Sequence, residues 1–214
     1  MDKNISDIRN EYNKGSISKN ELPNSPFLIF EKWLNDAFAA DVYEPNAMAI
    51  STVGVNDSPS IRMVLLRAFD ENGFIFYTNY NSKKGIDISK NNKASILFYW
   101  HKLHRQIRIE GTCTKVSETI SDNYFKSRPL ASQIASAISP QSEKIENRAF
   151  LEEAIVNKEA KVNDKSSIER PKHWGGYCLQ PNYFEFWLGR PSRLHDRLCY
   201  EKHEDVWKII RLAP

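Results

Sequence analysis

Two short basic segments carry the residues best suited to bind an anion, and the first is SRPLASQ. Pro129 disfavours a helical conformation at Arg128 and suits the first turn of a new helix. The free backbone amides of that turn, together with Ser132, would face an anion that Arg128 also reaches. Tyr124 lies four residues before Arg128, one turn back if the preceding helix extends to the break. The segment therefore predicts a phosphate site.

The second basic segment, RLHDR, lies near the carboxyl end of the chain. In a β-strand, Arg193, His195 and Arg197 would point to one face of a sheet. Leu194 and Asp196 would point to the opposite face. The aromatic sequence NYFEFWLG precedes the segment, which favours a pocket wall over open solvent. An edge strand with a solvated face is the alternative that composition leaves open.

Other basic residues stand at the ends of predicted elements. Arg62 and Arg67 bracket the apolar strand RMVLLR. Lys83 and Lys84 follow the strand FIFYTN, where a helix is predicted to begin. Strand ends meet solvent and collect Lys and Arg in any case, so a single one of these residues indicates little. Their joint placement suggests counter-charges for an anionic ligand.

Several familiar motifs are absent from the sequence, among them GxGxxG, GxxxxGK[ST], GxSxG and HExxH. Dinucleotide-fold, P-loop, hydrolase-elbow and zincin interpretations therefore have no support. His101 and His104 form an HxxH pair. Between two strands that spacing does not define one helical face, and no third ligand lies nearby in sequence, so we expect no metal site.

The helices and strands that position these residues are predicted to form an α+β fold. A helix is predicted to begin after Ser25, with Pro26 in its first turn. Apolar residues then recur at spacings of three and four, which predicts one buried face made of Phe27, Phe30, Leu34 and Phe38. Short apolar runs bounded by turn residues follow from Asn46, and helical patterns dominate from Ser117 to about Lys161. We expect an antiparallel meander of about six or more strands that closes into a barrel.

Composition indicates one folded domain. The 214 residues are 41% hydrophobic, and 30 Lys plus Arg against 27 Asp plus Glu leave a net charge of only +3. Bulk nucleic-acid binding is therefore disfavoured. Three cysteines, far apart and without a CxxC pair, argue against a disulfide framework. The amino terminus has no apolar run, so we expect neither a signal peptide nor a membrane segment, and a cytoplasmic location.

The chain resembles the pyridoxine/pyridoxamine 5′-phosphate oxidase family from about Arg9 to Pro214. The likeness rests on the order of its motifs: RMVLLR, FYTNYNSKKG, RQIRIEG, YFKSRPLASQI, SPQS, HWGGY, FEFW, RLHDR and a terminal RLAP. The resemblance implies a homodimer of split β-barrels that binds FMN in a cleft between subunits. It also implies a single FMN-binding split-barrel domain over residues 1–214, with residues 1–24 as a mobile lid.

The resemblance also implies roles for individual residues. The implied FMN contacts are Arg62, Met63, Val64, Leu65, Leu66, Arg67, Tyr77, Thr78, Lys83, Lys84, Gln106, Gln141, Ser142, Trp187 and Arg197. The implied contacts to the substrate phosphate are Arg67, Tyr124, Arg128 and Ser132. Arg193 and His195 would flank the substrate ring as the catalytic residues, and Arg9 and Tyr12 would close over it.

Four positions differ from the residue usual in the family: Arg67 replaces Lys, Leu188 replaces Gln, Ala135 replaces Gly, and Asn10 replaces a basic residue. Arg67 keeps the charge but changes a point donor into a planar fork.

The resemblance implies that oxidised FMN accepts a hydride from the 4′ carbon of pyridoxamine or pyridoxine 5′-phosphate. Dioxygen would then be reduced to hydrogen peroxide, and pyridoxal 5′-phosphate would be the product. Two alternatives stay open. One is another split-barrel flavoprotein, such as a flavin reductase or an FMN-binding protein without oxidase activity. The other is a non-enzymatic module that binds a nucleic acid or a phosphorylated ligand, and a steep salt dependence would mark it.

Overall fold

The computed structural model describes residues 4–5, 11–162 and 166–214. Arg9 and Asn10 lie outside these residues. The α-helices are α1 (Pro26–Ala39), α2 (Lys83–Lys90), α3 (Glu118–Ser127), α4 (Leu130–Ile138) and α5 (Arg148–Glu159). The strands are β1 (Ala47–Val53), β2 (Pro59–Leu65), β3 (Ala68–Asp70), β4 (Gly73–Asn79), β5 (Lys93–Trp100), β6 (Arg105–Lys115), β7 (Trp174–Leu188), β8 (Asp196–His203) and β9 (Val206–Leu212).

The nine strands belong to one sheet. Its strand order is β2-β1-β5-β6-β7-β4-β3, with β8 paired to β7 and β9 paired to β8. The pairs β3–β4, β4–β7, β7–β8 and β8–β9 are antiparallel. The 15-residue strand β7 pairs with β4 near its start and with β8 near its end. The predicted mixture of helices with an antiparallel sheet is confirmed, but the predicted simple meander is wrong, because β1 pairs with β5 and β4 pairs with β7.

The chain divides into two compact units. The first unit contains Met1–Ala49, Ser95–Glu110 and Pro181–Pro214, and the second contains Ile50–Ala94 and Gly111–Gln180. The expectation of a single domain with an amino-terminal lid stays a prediction.

Helix α1 supplies part of the core of the first unit. Pro26 occupies its first turn, as predicted, and Phe30 and Trp33 are buried. Phe30 packs against Phe98 with ring centroids 5.2 Å apart, and Trp33 packs against Phe186 at 5.4 Å. The prediction that Phe38 belongs to the buried face is wrong, because Phe38 is 57% exposed.

Local sequence explains the helix ends that matter in the second unit. Helix α2 begins after Ser82, whose side-chain oxygen accepts a hydrogen bond from the Gly85 backbone amide. Helix α3 ends before Arg128, which has extended backbone angles, and α4 begins after Pro129. The predicted break at Arg128 is confirmed, and it follows from the steric effect of proline on the preceding residue. Within the described residues, no helix combines the length and apolar character needed to cross a bilayer.

Candidate functional site

A cavity of about 490 Å³ lies in the second unit. The predicted site residues that line it are Met63, Val64, Leu65, Arg67, Tyr77, Thr78, Lys84, Tyr124, Arg128, Ser132 and Gln141. These residues come from β2, β4, α2, α3, α4 and the segments that follow them. The folding of this unit therefore brings together predicted site residues that are up to 78 positions apart in sequence, from Met63 to Gln141.

Lys84 is the buried cation of this cavity, with only 9% exposure. Its Nζ lies 3.2 Å from Thr78 Oγ1, 3.4 Å from Ser82 Oγ and 3.2 Å from Gln141 Oε1. All three partners are uncharged oxygens. Burial, with a smaller contribution from nearby Arg62, lowers the pKa of Lys84 to about 8.

Arg128 leaves the end of α3 and enters the same cavity. Its guanidinium carbon lies 4.7 Å from the centre of the Trp174 ring, and its Nη1 donates to Ser136 Oγ at 2.8 Å. Burial lowers the pKa of Arg128, and Tyr124 opposes this shift. The group nevertheless stays charged, since the ordinary pKa of arginine lies far above neutral pH.

Three aromatic rings form a stack beside these cations. Tyr77 and Tyr124 have ring centroids 3.8 Å apart, and Tyr77 and Trp174 are 5.5 Å apart, with interplanar angles of 15° and 11°. The guanidinium of Arg67 lies 6.0 Å from the centre of the Tyr124 ring. The cavity thus combines flat apolar surfaces with unneutralised positive charge, an arrangement that suits an aromatic phosphate ester.

Arg62 and Lys83 are engaged elsewhere in the second unit. Lys83 Nζ lies 3.1 Å from both carboxylate oxygens of Asp87, and Arg62 Nη2 lies 4.0 Å from one of them. Arg62 Nη1 also donates to Thr52 Oγ1 at 2.8 Å. Neither cation is among the residues that line the cavity. Leu66, another predicted contact, is buried at 5% exposure.

A second cluster of predicted residues lies in the first unit, around Tyr12. The ring centroid of Tyr12 is 5.4 Å from that of His195, 5.8 Å from Trp187 and 4.8 Å from His104, all edge to face. Gly189 permits this packing, because a Cβ at that position would lie 2.4 Å from the Tyr12 ring. The structure therefore brings Tyr12, Trp187 and His195 together, and their roles toward a substrate and a cofactor stay a prediction.

The prediction that RLHDR is a continuous strand is wrong. Strand β8 begins only at Asp196, and the residues before it form a tight turn, Pro191–Arg193. Ser192 and Arg193 have φ values of 56° and 61°, in the left-handed region. Strand alternation therefore does not put Arg193 on one face with His195 and Arg197. Arg193 is exposed at this turn.

His195 is held by the same turn. Its Nδ1 accepts a hydrogen bond from the Arg190 backbone amide at 3.0 Å. Burial, followed by the charge of Arg193, lowers the pKa of His195. The imidazole is therefore neutral at neutral pH, with its proton on Nε2, because Nδ1 serves as the acceptor.

Arg197 is fixed by a buried carboxylate. Its Nε lies 2.7 Å from Glu185 Oε1, and its Nη2 lies 3.1 Å from Oε2. Arg108 Nη2 binds the same carboxylate at 2.8 Å. Two further predicted contacts are less enclosed: Gln106 is half-buried in β6 of the first unit, and Ser142 is exposed with a φ of 74°.

Sequence reasoning missed several residues that line the cavity, namely Asn79, Ser136, Ser139 and Trp174. Ser136 lies four residues after Ser132 on α4, so the helical repeat was a signal that could have identified it. Trp174 comes from distant β7 and carries no local signal of its place beside Arg128. Asp87 and Glu185, the carboxylates that neutralise predicted cofactor contacts, were also missed.

Comparison with known proteins finds one family along most of the chain. The family model described as "Pyridoxamine 5'-phosphate oxidase" matches residues 34–159. The model described as "Pyridoxine 5'-phosphate oxidase C-terminal dimerisation region" matches residues 174–214.

Two curated bacterial proteins, both named "Pyridoxine/pyridoxamine 5'-phosphate oxidase", are similar over their full length. The protein of Polynucleobacter asymbioticus is 48% identical over 210 residues, which cover 98% of this chain and 99% of that protein. The protein of Bacteroides thetaiotaomicron is 47% identical over 213 residues, which cover 99% of this chain and 100% of that protein.

Solved structures have the same fold. PhzG from Burkholderia lata 383, solved in complex with tetrahydrophenazine-1-carboxylic acid, is 31% identical, with a TM-score of 0.86 over 91% of this chain and 95% of that chain. An FMN-binding protein from Nostoc punctiforme related to pyridoxamine 5′-phosphate oxidase has a TM-score of 0.71 at 18% identity, over 89% of this chain and 98% of that chain. The predicted α+β split-barrel fold class is confirmed by these likenesses.

Proposed function

We propose, because the chain belongs to the pyridoxine/pyridoxamine 5′-phosphate oxidase family, that it is an FMN-dependent oxidase that makes pyridoxal 5′-phosphate. The substrates would be pyridoxamine 5′-phosphate and pyridoxine 5′-phosphate. Dioxygen would accept the electrons and leave as hydrogen peroxide. With the amine substrate, water would be consumed and ammonia released.

The observation that carries this proposal is a set of cations without counter-charges. Among the residues that the structure describes, Arg67, Lys84 and Arg128 have no carboxylate within ion-pair distance, although all three line one cavity. Lys84 is buried and Arg128 is half-buried, and a charge in such a position is unfavourable unless it is paired. Arg67 is exposed and adds a third positive charge at the cavity. Two phosphate esters, one on the cofactor and one on the substrate, would supply the missing negative charge.

The residues present fit FMN. The cavity of about 490 Å³ lies within the range of roughly 300–1,000 Å³ that small-molecule sites occupy. Lys84 with the Thr78 hydroxyl forms a donor set that suits a phosphate monoester. We therefore assign Lys84, Thr78 and Gln141 to the cofactor phosphate. The other FMN contacts implied by the resemblance, including Arg62, Lys83, Gln106, Ser142, Trp187 and Arg197, are part of the same proposal.

The substrate phosphate would be bound by Arg67, Tyr124, Arg128 and Ser132. Arg128 offers a planar fork that matches phosphate geometry. Ser132 lines the cavity from the first turn of α4 and would contribute its hydroxyl, because its backbone amide already donates to the Pro129 carbonyl at 2.9 Å. Binding at this point would fix the orientation of the substrate ring before reaction, which is the main contribution a protein makes to cofactor chemistry.

Arg193 and His195 are the proposed catalytic residues. The bound flavin would supply the hydride acceptor, and these two side chains would hold and orient the substrate ring. His195 would present its Nε2–H as a donor, because Nδ1 already accepts from the Arg190 backbone amide. Tyr12, whose ring lies against that of His195, would cover the ring and exclude water. Arg9 would close over the substrate from the same segment.

A homodimer and a cytoplasmic location complete the proposal. The match of residues 174–214 to a dimerisation region supports the homodimer. Cys113, Cys178 and Cys199 are free thiols, which suits a reducing compartment.

The test is to purify the protein and record its visible spectrum, and then to measure peroxide with pyridoxamine 5′-phosphate. We expect a yellow protein whose released cofactor is FMN and which forms one peroxide per pyridoxal 5′-phosphate. A yellow protein that forms no peroxide would indicate another split-barrel flavoprotein. A colourless protein that binds no FMN would contradict the proposal.

A further inference from the structure

Arg128 is held in the cavity by two residues that have no role in the proposal above. Its guanidinium carbon lies over the Trp174 ring, 4.7 Å from the ring centre. Its Nη1 donates to Ser136 Oγ at 2.8 Å. Among the described residues its Nε and Nη2 make no hydrogen bond, so those donors stay available to a ligand.

Trp174 is itself buried and packed against neighbouring rings. Its side chain is 6% exposed and lies in a parallel stack with Tyr77 and Tyr124. Its backbone carbonyl accepts a hydrogen bond from Arg170 Nη1 at 2.5 Å. Arg170 is in turn bound by Asp122, 2.6 Å away. The Trp174 ring is therefore packed on several sides by the protein itself.

The contact with the Trp174 ring and the hydrogen bond to Ser136 together limit the orientations open to the guanidinium. A cation over an indole ring is attracted to its face, and indole is the best of the aromatic side chains in this role. The Ser136 hydroxyl then fixes rotation within the plane. An arginine that is ordered before binding loses less side-chain entropy when it binds phosphate.

We propose that Trp174 and Ser136 are positioning residues that hold Arg128 ready for the substrate phosphate and thereby set the preference for phosphorylated over unphosphorylated substrate. This inference rests on the proposed function, in which Arg128 binds that phosphate. It predicts that the two residues act through Arg128 and lose their effect when Arg128 is absent.

The test is a double-mutant cycle on binding. Titration calorimetry measures the affinity of the FMN-loaded protein for 4′-deoxypyridoxine 5′-phosphate, a substrate analogue that lacks the 4′ oxygen and cannot be oxidised. Trp174→Leu should weaken binding about threefold to thirtyfold, and Ser136→Ala about threefold to tenfold. In an Arg128→Ala background, each change should alter the affinity by less than about twofold.

Two controls separate positioning from general damage. The affinity for 4′-deoxypyridoxine, which has no phosphate, should stay the same in Trp174→Leu. Trp207→Leu removes a ring that also lies near a cation, Lys202 at 6.0 Å, and should not change the affinity for the phosphorylated analogue. If Trp174→Leu fails to fold, Trp174→Phe keeps a ring and should give a smaller loss in the same direction.

An equal loss in the presence and absence of Arg128 would overturn the inference and leave the proposed function intact, because Trp174 would then only support the fold. An equal loss of affinity for the unphosphorylated analogue would overturn the inference in the same way. If the unaltered protein does not bind the phosphorylated analogue at all, the proposed function fails, and the inference fails with it.

Discussion

Glu185 and Arg197 form a two-point ion pair, with Nε–Oε1 and Nη2–Oε2 distances of 2.7 and 3.1 Å. Glu185 is 3% exposed and also binds Arg108. The planar fork of an arginine on a fixed carboxylate has one favoured orientation. The direction of Arg197, a proposed FMN contact, is therefore set by Glu185.

Glu185→Gln should lower the free energy of unfolding by about 1–3 kcal/mol, because two guanidiniums lose their shared counter-charge. Urea denaturation measures the change. Glu152→Gln is the matched control, since Glu152 pairs with Arg148 at 2.7 Å on the surface of α5, with both side chains exposed. That control should change stability by about 0.5 kcal/mol or less. Equal losses in the two variants would contradict this account of Glu185.

The contribution of Glu185 should depend on pH in a defined direction. Burial opposes its ionisation, but hydrogen bonds from Arg197 and then Arg108 outweigh burial and hold its pKa below the usual 4.5. A lowered pKa adds stability that is complete above pH 4.5 and is lost as the pH falls through the folded value. The stability difference between the unaltered protein and Glu185→Gln should therefore shrink on acidification below pH 4.5. A difference that stays constant to lower pH would exclude this linkage.

Lys84 should make FMN binding sensitive to alkaline pH. Its pKa in the free protein is about 8, and a phosphate that needs the charged ammonium should bind about tenfold more weakly at pH 9 than at pH 7. Lys84→Arg stays charged and should remove most of this dependence, although its affinity can be lower throughout. Quenching of FMN fluorescence measures both. The same pH slope in the two proteins would rule out Lys84 as the group responsible.

The same lowered pKa predicts how the stability of the FMN-free protein changes. Between pH 8 and 10.5 the unfolded chain binds more protons at Lys84 than the folded protein does. The titration of Lys84 should therefore make the free energy of unfolding rise with pH across this interval. Lys84→Met has no titrating group at this position and should lack that increase. Urea denaturation at each pH measures it. A rise of the same size in Lys84→Met would show that other groups cause it.

Burial is the larger cause of the lowered pKa of His195, and the charge of Arg193 lowers it further. In Arg193→Ala the pKa should move upward toward the usual 6.5, as followed by NMR titration of the imidazole protons. Lys208→Ala removes an exposed cation of the same unit and should leave the titration unchanged. A pKa that is identical with and without Arg193 would show that the guanidinium does not act on the ring.

Asp196 should keep the amino-terminal segment bound to the first unit. Its Oδ2 accepts from the Ile17 backbone amide at 3.1 Å, and its Oδ1 binds Arg211, which also donates to the Ile17 carbonyl at 2.8 Å. Lys14, which is exposed, lies next to this attachment, so Asp196→Ala should loosen the backbone there and raise the rate of tryptic cleavage after Lys14 about tenfold. Asp205→Ala, at an exposed turn, is the control. Unchanged cleavage in Asp196→Ala would mean that other contacts hold the segment.

Local chemistry explains which features could be predicted from the sequence. The break at Arg128 depends on one proline and its neighbour, so sequence alone determined it. The bend at Ser192 and Arg193 could not be predicted, because left-handed backbone at residues other than glycine is uncommon and depends on tertiary contacts. The error at RLHDR came from applying strand alternation across that bend.

The pairing of charged side chains is the other feature that could not be predicted from the sequence. Arg62 and Arg67 look equivalent at the two ends of one strand. Among the described residues, however, only Arg62 of the two lies near a carboxylate, that of Asp87. The pairing of Arg197 with Glu185 follows from the register of β7 and β8, which sequence does not supply. The sequence therefore predicted the basic residues of the site as a group. Only the structure could show which of them lack a counter-charge.

The most direct test of the account is to mix the FMN-loaded protein with one equivalent of pyridoxamine 5′-phosphate in the absence of oxygen. We expect the visible flavin band to bleach, with one pyridoxal 5′-phosphate formed per flavin, and to return when oxygen is admitted. Arg128→Ala should bleach fully only at a higher substrate concentration. A flavin band that persists at saturating substrate would contradict the proposed oxidase function.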